Sequence, residues 1–428
     1  MGSNPTTRRR FLGQGCAGSL AALGMGARPQ ALTAATAETE PMRITKIDAV
    51  TFRRDIHIGG GSGGADGAEF IWIRLHTNNG IVGTGETYPF DNGQVGGLKD
   101  YARAIKLLGR DPRDIDGIWR DFYFQMAMRN AGGADMRVLS ALNMAQLDIL
   151  GQAADLPLYR LLGGKTRSRI RVYNTTTDYW AINGMKMGPD TMKIVRFLLD
   201  RGVTGMKIYP FQAREKYLSH DALERGLKWI RDIREGVGNR MDICVDCWAN
   251  FDLPSAERIA KALEPYNILY LEDVMINTNA AAFAELASKT SVPLCMSETL
   301  ATRYEYRRFF ERKACSVCMA DVCWCGGPGE AKKIADMADA YTIPLSPHTC
   351  GGPLLFICAI HLSTAVPNFL IMESNYWKYA YQYPYFVNNV PTPVEGHVRA
   401  PERPGIGAEI KPDLFRRGDA IVETVAEA

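Results

Sequence analysis

Seven ionisable residues sit at or next to the C-terminal end of a short apolar run: Lys207, Asp246, Glu272, Glu298, Asp321, His348 and Glu373. From Asp246 onward they recur at intervals of 26, 26, 23, 27 and 25 residues. That length holds one strand, one helix and two short loops. Successive strand ends would carry all seven side chains to one rim. A carboxylate in a run such as Tyr270-Leu271-Glu272-Asp273-Val274 is costly to bury without a partner. The pattern therefore reads as a site and not as scattered surface charge.

Asp246, Glu272 and Glu298 close three consecutive strand ends. Like charges that converge cannot all stay ionised without a cation. Oxygen donors with no imidazole or thiol among them favour Mg2+, with Mn2+ as the alternative, over zinc. Such an ion stabilises the charge that grows on a substrate carboxylate as its α-proton leaves. Asp321 and His348 fall on neighbouring strands, expected opposite the metal ligands. A carboxylate beside an imidazole fixes the tautomer and raises the basicity. His348 is thus the expected general base and Asp321 its orienting partner. The flanks Ser346-Pro347 and Gly351-Gly352-Pro353 allow close approach of backbone to substrate. Among the other histidines, His57 lies in a glycine-rich loop as a candidate lid contact, while His76, His220, His361 and His397 read as structural or exposed.

These residues need a scaffold, and the hydrophobic pattern supplies one. Residues 43–52, 70–75 and 81–86 alternate like strands, with Thr77-Asn78-Asn79-Gly80 as a hairpin turn, and residues 136–153 carry helical spacing. Together they predict an α+β unit over 43–165, a three-stranded meander followed by helices. After Lys165 short apolar strands alternate with amphipathic helices. Strands are expected at 170–175, 205–209, 241–248, 269–274, 293–298, 316–323, 344–348 and 369–375. Eight strands with seven intervening helices in about 220 residues match the size of a (β/α)8 barrel, whose active site lies at the C-terminal ends of its strands. The expected fold class is α/β: a modified TIM barrel over 166–390 with an N-terminal α+β capping domain. Residues 391–428 are expected to pack back on that cap.

The stretch from residue 43 to about 414 resembles the enolase superfamily, in its mandelate racemase/muconate lactonizing enzyme family and mandelate-racemase subgroup. The resemblance rests on Met206-Lys207-Ile208-Tyr209-Pro210, Val245-Asp246, Leu271-Glu272-Asp273, Ser297-Glu298-Thr299, Asp321 with Gly326-Gly327, Pro347-His348 and Met372-Glu373-Ser374. It implies a cap whose loops select the substrate, Mg2+ on Asp246, Glu272 and Glu298, and a His348–Asp321 dyad. Glu373 matches the last-strand acid that hydrogen-bonds the enediolate. The departure is on the second strand. Racemases of the subgroup carry Lys-x-Lys there; Lys207 matches the carboxylate-contacting lysine, but Tyr209 stands where the second base would be. A tyrosine with a pKa near 10 is a poor base and a feasible proton donor. The resemblance therefore implies one-base chemistry: loss of a β-hydroxyl from an acid sugar, an aldonate or aldarate, to give a 2-keto-3-deoxy acid. The rivals are an epimerase, racemase or cycloisomerase on the same scaffold, and a non-catalytic sugar-acid-binding protein. Trp248 is a second departure, where relatives often have a smaller polar residue; it is expected to narrow the site, with Asn250 adding a polar contact. Tyr88, Trp377 and His57 are further candidate substrate contacts. A homo-oligomer is also expected from the family.

Thr7-Arg8-Arg9-Arg10-Phe11-Leu12, a soft apolar stretch and Ala35-Thr36-Ala37 resemble a twin-arginine export signal over residues 1–37. The expected location is periplasmic, reached through the twin-arginine machinery. Cleavage there removes four arginines and no acid, so the formal charge falls from +3 to −1. So neutral a chain is not an electrostatic nucleic-acid binder, and no apolar run is long enough to span a bilayer. Cys244-x-x-Cys247, Cys315-x-x-Cys318 and Cys323-x-Cys325 fall in apolar runs and are expected to be small buried hydrophobes and not metal ligands.

Overall fold

The computed structural model describes residues 41–53, 56, 58, 68–89, 92–127, 132–211 and 216–428. The export signal and His57 lie outside them, as does most of the glycine-rich loop. The cap opens with strands β1 (Ile44–Phe52), β2 (Ile71–Thr77) and β3 (Val82–Thr87) and continues with helices α1 (Asn92–Ala104), α2 (Ile115–Ala127), α3 (Gly133–Ala154) and the single turn α4 (Leu158–Leu161). Its antiparallel sheet has one strand more than the expected meander: β12 (Ala420–Glu427) pairs with β1, giving the order β12-β1-β2-β3.

The barrel runs β4 (Ile170–Thr175), α5 (Thr191–Leu199), β5 (Gly205–Ile208), α6 (His220–Val237), β6 (Asp242–Asp246), α7 (Leu253–Leu263) and β7 (Tyr270–Glu272). It continues through α8 (Ala280–Lys289), β8 (Leu294–Met296), α9 (Thr302–Phe310), β9 (Val317–Cys318), α10 (Pro328–Ala340), α11 (Pro353–Ala365) and β10 (Met372–Ser374). After it come α12 (Tyr383–Phe386) and β11 (His397–Val398), which pairs with β4. The parallel order β10-β4-β5-β6-β7-β8-β9 follows the chain, as right-handed βαβ units require. The strand expected at 344–348 shrinks to a bridge at Leu345, between Cys318 and Phe369. Pro344 and Pro347 flank it, and a proline donates nothing to a ladder.

Local chemistry sets the helix starts that aim the loops. Ser219, Asp252 and Asn279 accept backbone N–H bonds in the first turns of α6, α7 and α8. Helix α11 differs, because all thirteen of its residues are buried. A helix apolar on every side belongs inside a structure, and α11 packs against β3 and α4 of the cap as well as α10 and β10 of the barrel. Eight of the nine described cysteines are buried and none is disulfide-bonded. Among the described residues no helix is long and apolar enough to cross a membrane.

Within the cap, helix α3 lies directly on β3. A methyl group at Gly85 would stand 1.8 Å from the Ala141 carbonyl oxygen. Backbone cannot yield as a side chain does, so Gly85→Ala is expected to cost at least about 1–3 kcal/mol of unfolding free energy. A lowered urea midpoint would record it; an unchanged midpoint would show that the strand–helix contact is looser than described.

Candidate functional site

Parallel pairing brings the acids together. Asp246 ends β6, Glu272 ends β7, and the two are register partners; Glu298 follows two residues after β8. One oxygen from each lies within 4.8 Å of the others, and all three side chains are buried. Lys207 on β5 completes the floor, with Nζ 2.9 Å from Glu272, 3.1 Å from Glu373 and 3.3 Å from Asp246. Burial disfavours its charge, but Glu272 and Glu373 more than compensate and lift the ammonium well above its usual range. Burial first, joined by repulsion from Glu298 on Asp246 and from Asp246 on Glu272, pushes both carboxyls up against the pull of Lys207. One oxygen of Glu272, Oε2, is buried without a hydrogen-bond partner. Among the described residues these acids, with Asp321 and Glu373, form ion pairs with two groups, Lys207 and a protonated His348, fewer than the five carboxylates. Hard oxygens, excess negative charge and an unused buried acceptor fit a divalent cation at Asp246, Glu272 and Glu298.

The dyad forms beside them. His348 Nδ1 is 2.7 Å from Asp321 Oδ2, and the Cys323 backbone N–H donates to Asp321 Oδ1 at 2.6 Å. The ring does not stand opposite the acid triad as expected, since its Nε2 lies 2.7 Å from Glu298 Oε2 and 3.4 Å from Glu373 Oε2. Glu298 projects past the end of β8 and attracts the ring. Burial alone would depress the imidazole, but Glu298 and Glu373 raise it well above its ordinary value. Glu373 accepts from the Thr175 hydroxyl, Thr349 N at 2.7 Å and Lys207. Burial pushes its carboxyl up, yet Lys207, His348 and these donors outweigh burial and hold it at about 2. In this arrangement Glu373 orients Lys207 and the Thr349 backbone.

The remaining expectations divide. Tyr209 is half-buried at the end of the Lys207 strand, its ring 5.9 Å from Nζ, and burial keeps its phenol protonated far above 10. Trp248 is 70% exposed, so its side chain does not wall the site; its backbone N–H instead holds Asp246 Oδ1 at 2.8 Å. Asn250 turns its amide onto the Cys247 carbonyl at 2.9 Å, closing its own loop. Trp377 is wholly enclosed, with its indole nitrogen buried and without a hydrogen-bond partner among the described residues. Tyr88 does not face substrate either, because its hydroxyl binds Asp321 Oδ2 at 2.5 Å.

Three residues at the site escape sequence reasoning. Cys350 is half-buried with Sγ 3.4 Å from Glu373 Oε1. Lys378 is buried on the segment after β10, donating to the Gly351 carbonyl at 3.1 Å beneath the Trp180 ring, and burial lowers its pKa. Glu86, at the end of β3, accepts from Trp72 Nε1 at 2.9 Å, Leu355 N at 3.0 Å and Leu354 N at 3.2 Å. It was discoverable, since an acid closing an apolar strand is the signal that marks Glu272.

Comparison with known proteins fixes the lineage. Residues 44–163 match the mandelate racemase/muconate lactonizing enzyme N-terminal domain, and residues 191–414 match the enolase C-terminal domain-like family. The chain belongs to the mandelate racemase/muconate lactonizing enzyme family. Its fold is the family's barrel and cap. An enolase of the mandelate racemase subgroup from Agrobacterium tumefaciens superposes with a TM-score of 0.78 at 33% identity, covering 90% of this chain and 99% of its own. An enolase superfamily member from Salmonella Typhimurium gives 0.81 at 28%, over 89% and 100%. A D-xylonate dehydratase of Haloferax volcanii is 27% identical over 80% of this chain and 84% of its own length. A D-galactonate dehydratase of Ralstonia nicotianae is 27% identical over 80% and 88%.

In this family member Glu86 joins cap to barrel, and its protonation is legible in stability. Burial raises its carboxyl from 4.5 to about 7, outweighing the N–H donors that favour the charged form. The folded state therefore holds a proton that the unfolded chain releases. The resulting stability is complete below about pH 4.5 and is lost as pH rises through about 7, amounting to about 3 kcal/mol. Glu86→Gln is expected to flatten that decline, measured as urea midpoints between pH 4.5 and 8. An equally steep decline in the variant would place the proton elsewhere.

Proposed function

We propose that this protein is a Mg2+-dependent acid-sugar dehydratase, acting on an aldonate or aldarate. One observation carries the choice of reaction. His348 is the group on the rim built to accept a proton, whereas Tyr209 keeps its own. A single base suits elimination better than exchange of protons between two faces. The dehydratase names of relatives such as those from Haloferax volcanii and Ralstonia nicotianae support the same reading.

The residues divide the work. Nδ1 of His348 donates to Asp321, which leaves Nε2 to take the proton from the carbon next to the substrate carboxylate. The C–H electron pair moves onto that carboxylate to form an enediolate, and the Lys207 ammonium, fixed by Glu373, offsets the new charge. The C–O bond to the β-hydroxyl then breaks, and the imidazolium returns its proton so that water leaves. The enol tautomerises to a 2-keto-3-deoxy acid. Asp246, Glu272 and Glu298 would hold the Mg2+, which when bound would supply positive charge to offset that of the substrate carboxylate.

Screening acid sugars for keto-acid formation tests this reading. Activity should vanish with chelator and return with Mg2+. His348→Asn is expected to lower kcat by about 10^2- to 10^4-fold while Mg2+ binding in calorimetry is nearly unchanged. In D2O, recovered substrate should carry no deuterium at the α-carbon. Deuterium in recovered substrate or in an epimer would replace elimination with epimerisation, and an active His348→Asn enzyme would remove the base assignment.

Residues 1–37 are proposed to direct export by the twin-arginine route. Replacing Arg9 and Arg10 by lysine should leave the enzyme in the cytoplasmic fraction; unchanged periplasmic recovery would refute that route.

A further inference from the structure

The last residue pair of β3 and the residue after it each bind a barrel segment that bears the dyad. Glu86 caps the start of α11, five residues after His348. Thr87 donates its hydroxyl to the Cys323 carbonyl at 3.0 Å, and Cys323 Sγ donates back to the Glu86 carbonyl at 3.0 Å. Tyr88 reaches furthest in. Its hydroxyl donates to Asp321 Oδ2 at 2.5 Å and stands 3.1 Å from His348 Nδ1. The Trp324 ring packs against both Tyr88 and His348, while its indole N–H holds the Tyr88 carbonyl at 2.6 Å. Gly351 leaves room for this approach, because a Cβ there would meet Tyr88 Cδ1 at 2.4 Å.

We infer that Tyr88 is a positioning residue of the catalytic dyad, supplied by the cap. Asp321 Oδ2 receives two donors, the phenol and the imidazole Nδ1, and Oδ1 receives the Cys323 backbone. With three donors the carboxylate has one orientation. A hydroxyl already given to Asp321 cannot also donate to Nδ1, so the Nδ1 proton stays directed at Asp321 and the ring turns Nε2 toward Glu298 on the rim. Tyr88 also shares the negative charge of Asp321, which sets how strongly that charge draws on the ring. The cap therefore takes part in holding the base as well as in covering the substrate.

The inference rests on His348 being the base, and its test separates the two ideas. Tyr88→Phe keeps the ring packing against Trp324 and deletes one hydroxyl. In the full-length Mg2+-loaded enzyme it is expected to lower kcat by about 10–100-fold, the usual effect of losing a supporting hydrogen bond, with KM and Mg2+ affinity nearly unchanged. A loss carried by KM would make Tyr88 a substrate contact and overturn the inference. The independent readout is the downfield proton resonance of the His348–Asp321 bond, identified by its disappearance in His348→Asn. It should shift in Tyr88→Phe. A resonance that stays in place overturns the inference whether or not the enzyme turns over an acid sugar. A wild type inactive on every acid sugar would sink the proposed reaction and leave the resonance to decide the role of Tyr88.

Discussion

Lys207 is one ammonium inside a buried ring of acids, and the rest of the site depends on that imbalance. It touches Asp246, Glu272 and Glu373 at once and is fully shielded from water. Taking charges out of water is expensive, and an acid left without its partner in such a place costs about 3–5 kcal/mol. The barrel meets that cost by geometry. Its central strands are short, three residues in β7 and β8, and the chain turns polar where the ladder ends. Each carboxylate thus arrives beside its neighbour by register. A cluster that gathers acids beyond the charge of its own cations has an ion-binding character before any substrate arrives.

The rim was legible because the barrel repeats. One strand end per βα unit makes the position of Glu272 predict that of Glu298, and regular spacing survives even when strand boundaries do not. The boundaries failed where prolines stand, at the Leu345 bridge, and where a strand follows Pro- and Gly-rich chain, at β12. Within the site, legibility ended at the cap. Tyr88 meets Asp321 and His348 across 233 and 260 residues of sequence, and no local pattern encodes a contact of that range. Trp377 misled for the opposite reason. Its place just after the last strand suggests a substrate contact, but a large indole is equally good filling, and packing claimed it.

Cap and barrel are joined through polar groups as much as through apolar area. The carboxyl of Glu86 satisfies N–H groups at the start of α11 that no helix can satisfy for itself, and α11 is enclosed by both parts. The helix that follows His348 therefore has no solvent face along which to drift. Rigidity at His348 is obtained from a strand more than 250 residues earlier.

Pairing of β1 with β12 sets a schedule for synthesis. Val50 lies opposite Val422, so the first strand of the cap leaves the ribosome hundreds of residues before its neighbour exists. Barrel units can pair with their predecessors as they emerge, but β1 must wait with one row of backbone groups unmatched. Such an edge is where chains associate wrongly. When β12 arrives it covers that edge and becomes the new border of the sheet, carrying Glu423 and Glu427. The nascent chain thus carries an open edge at β1 until β12 has been made.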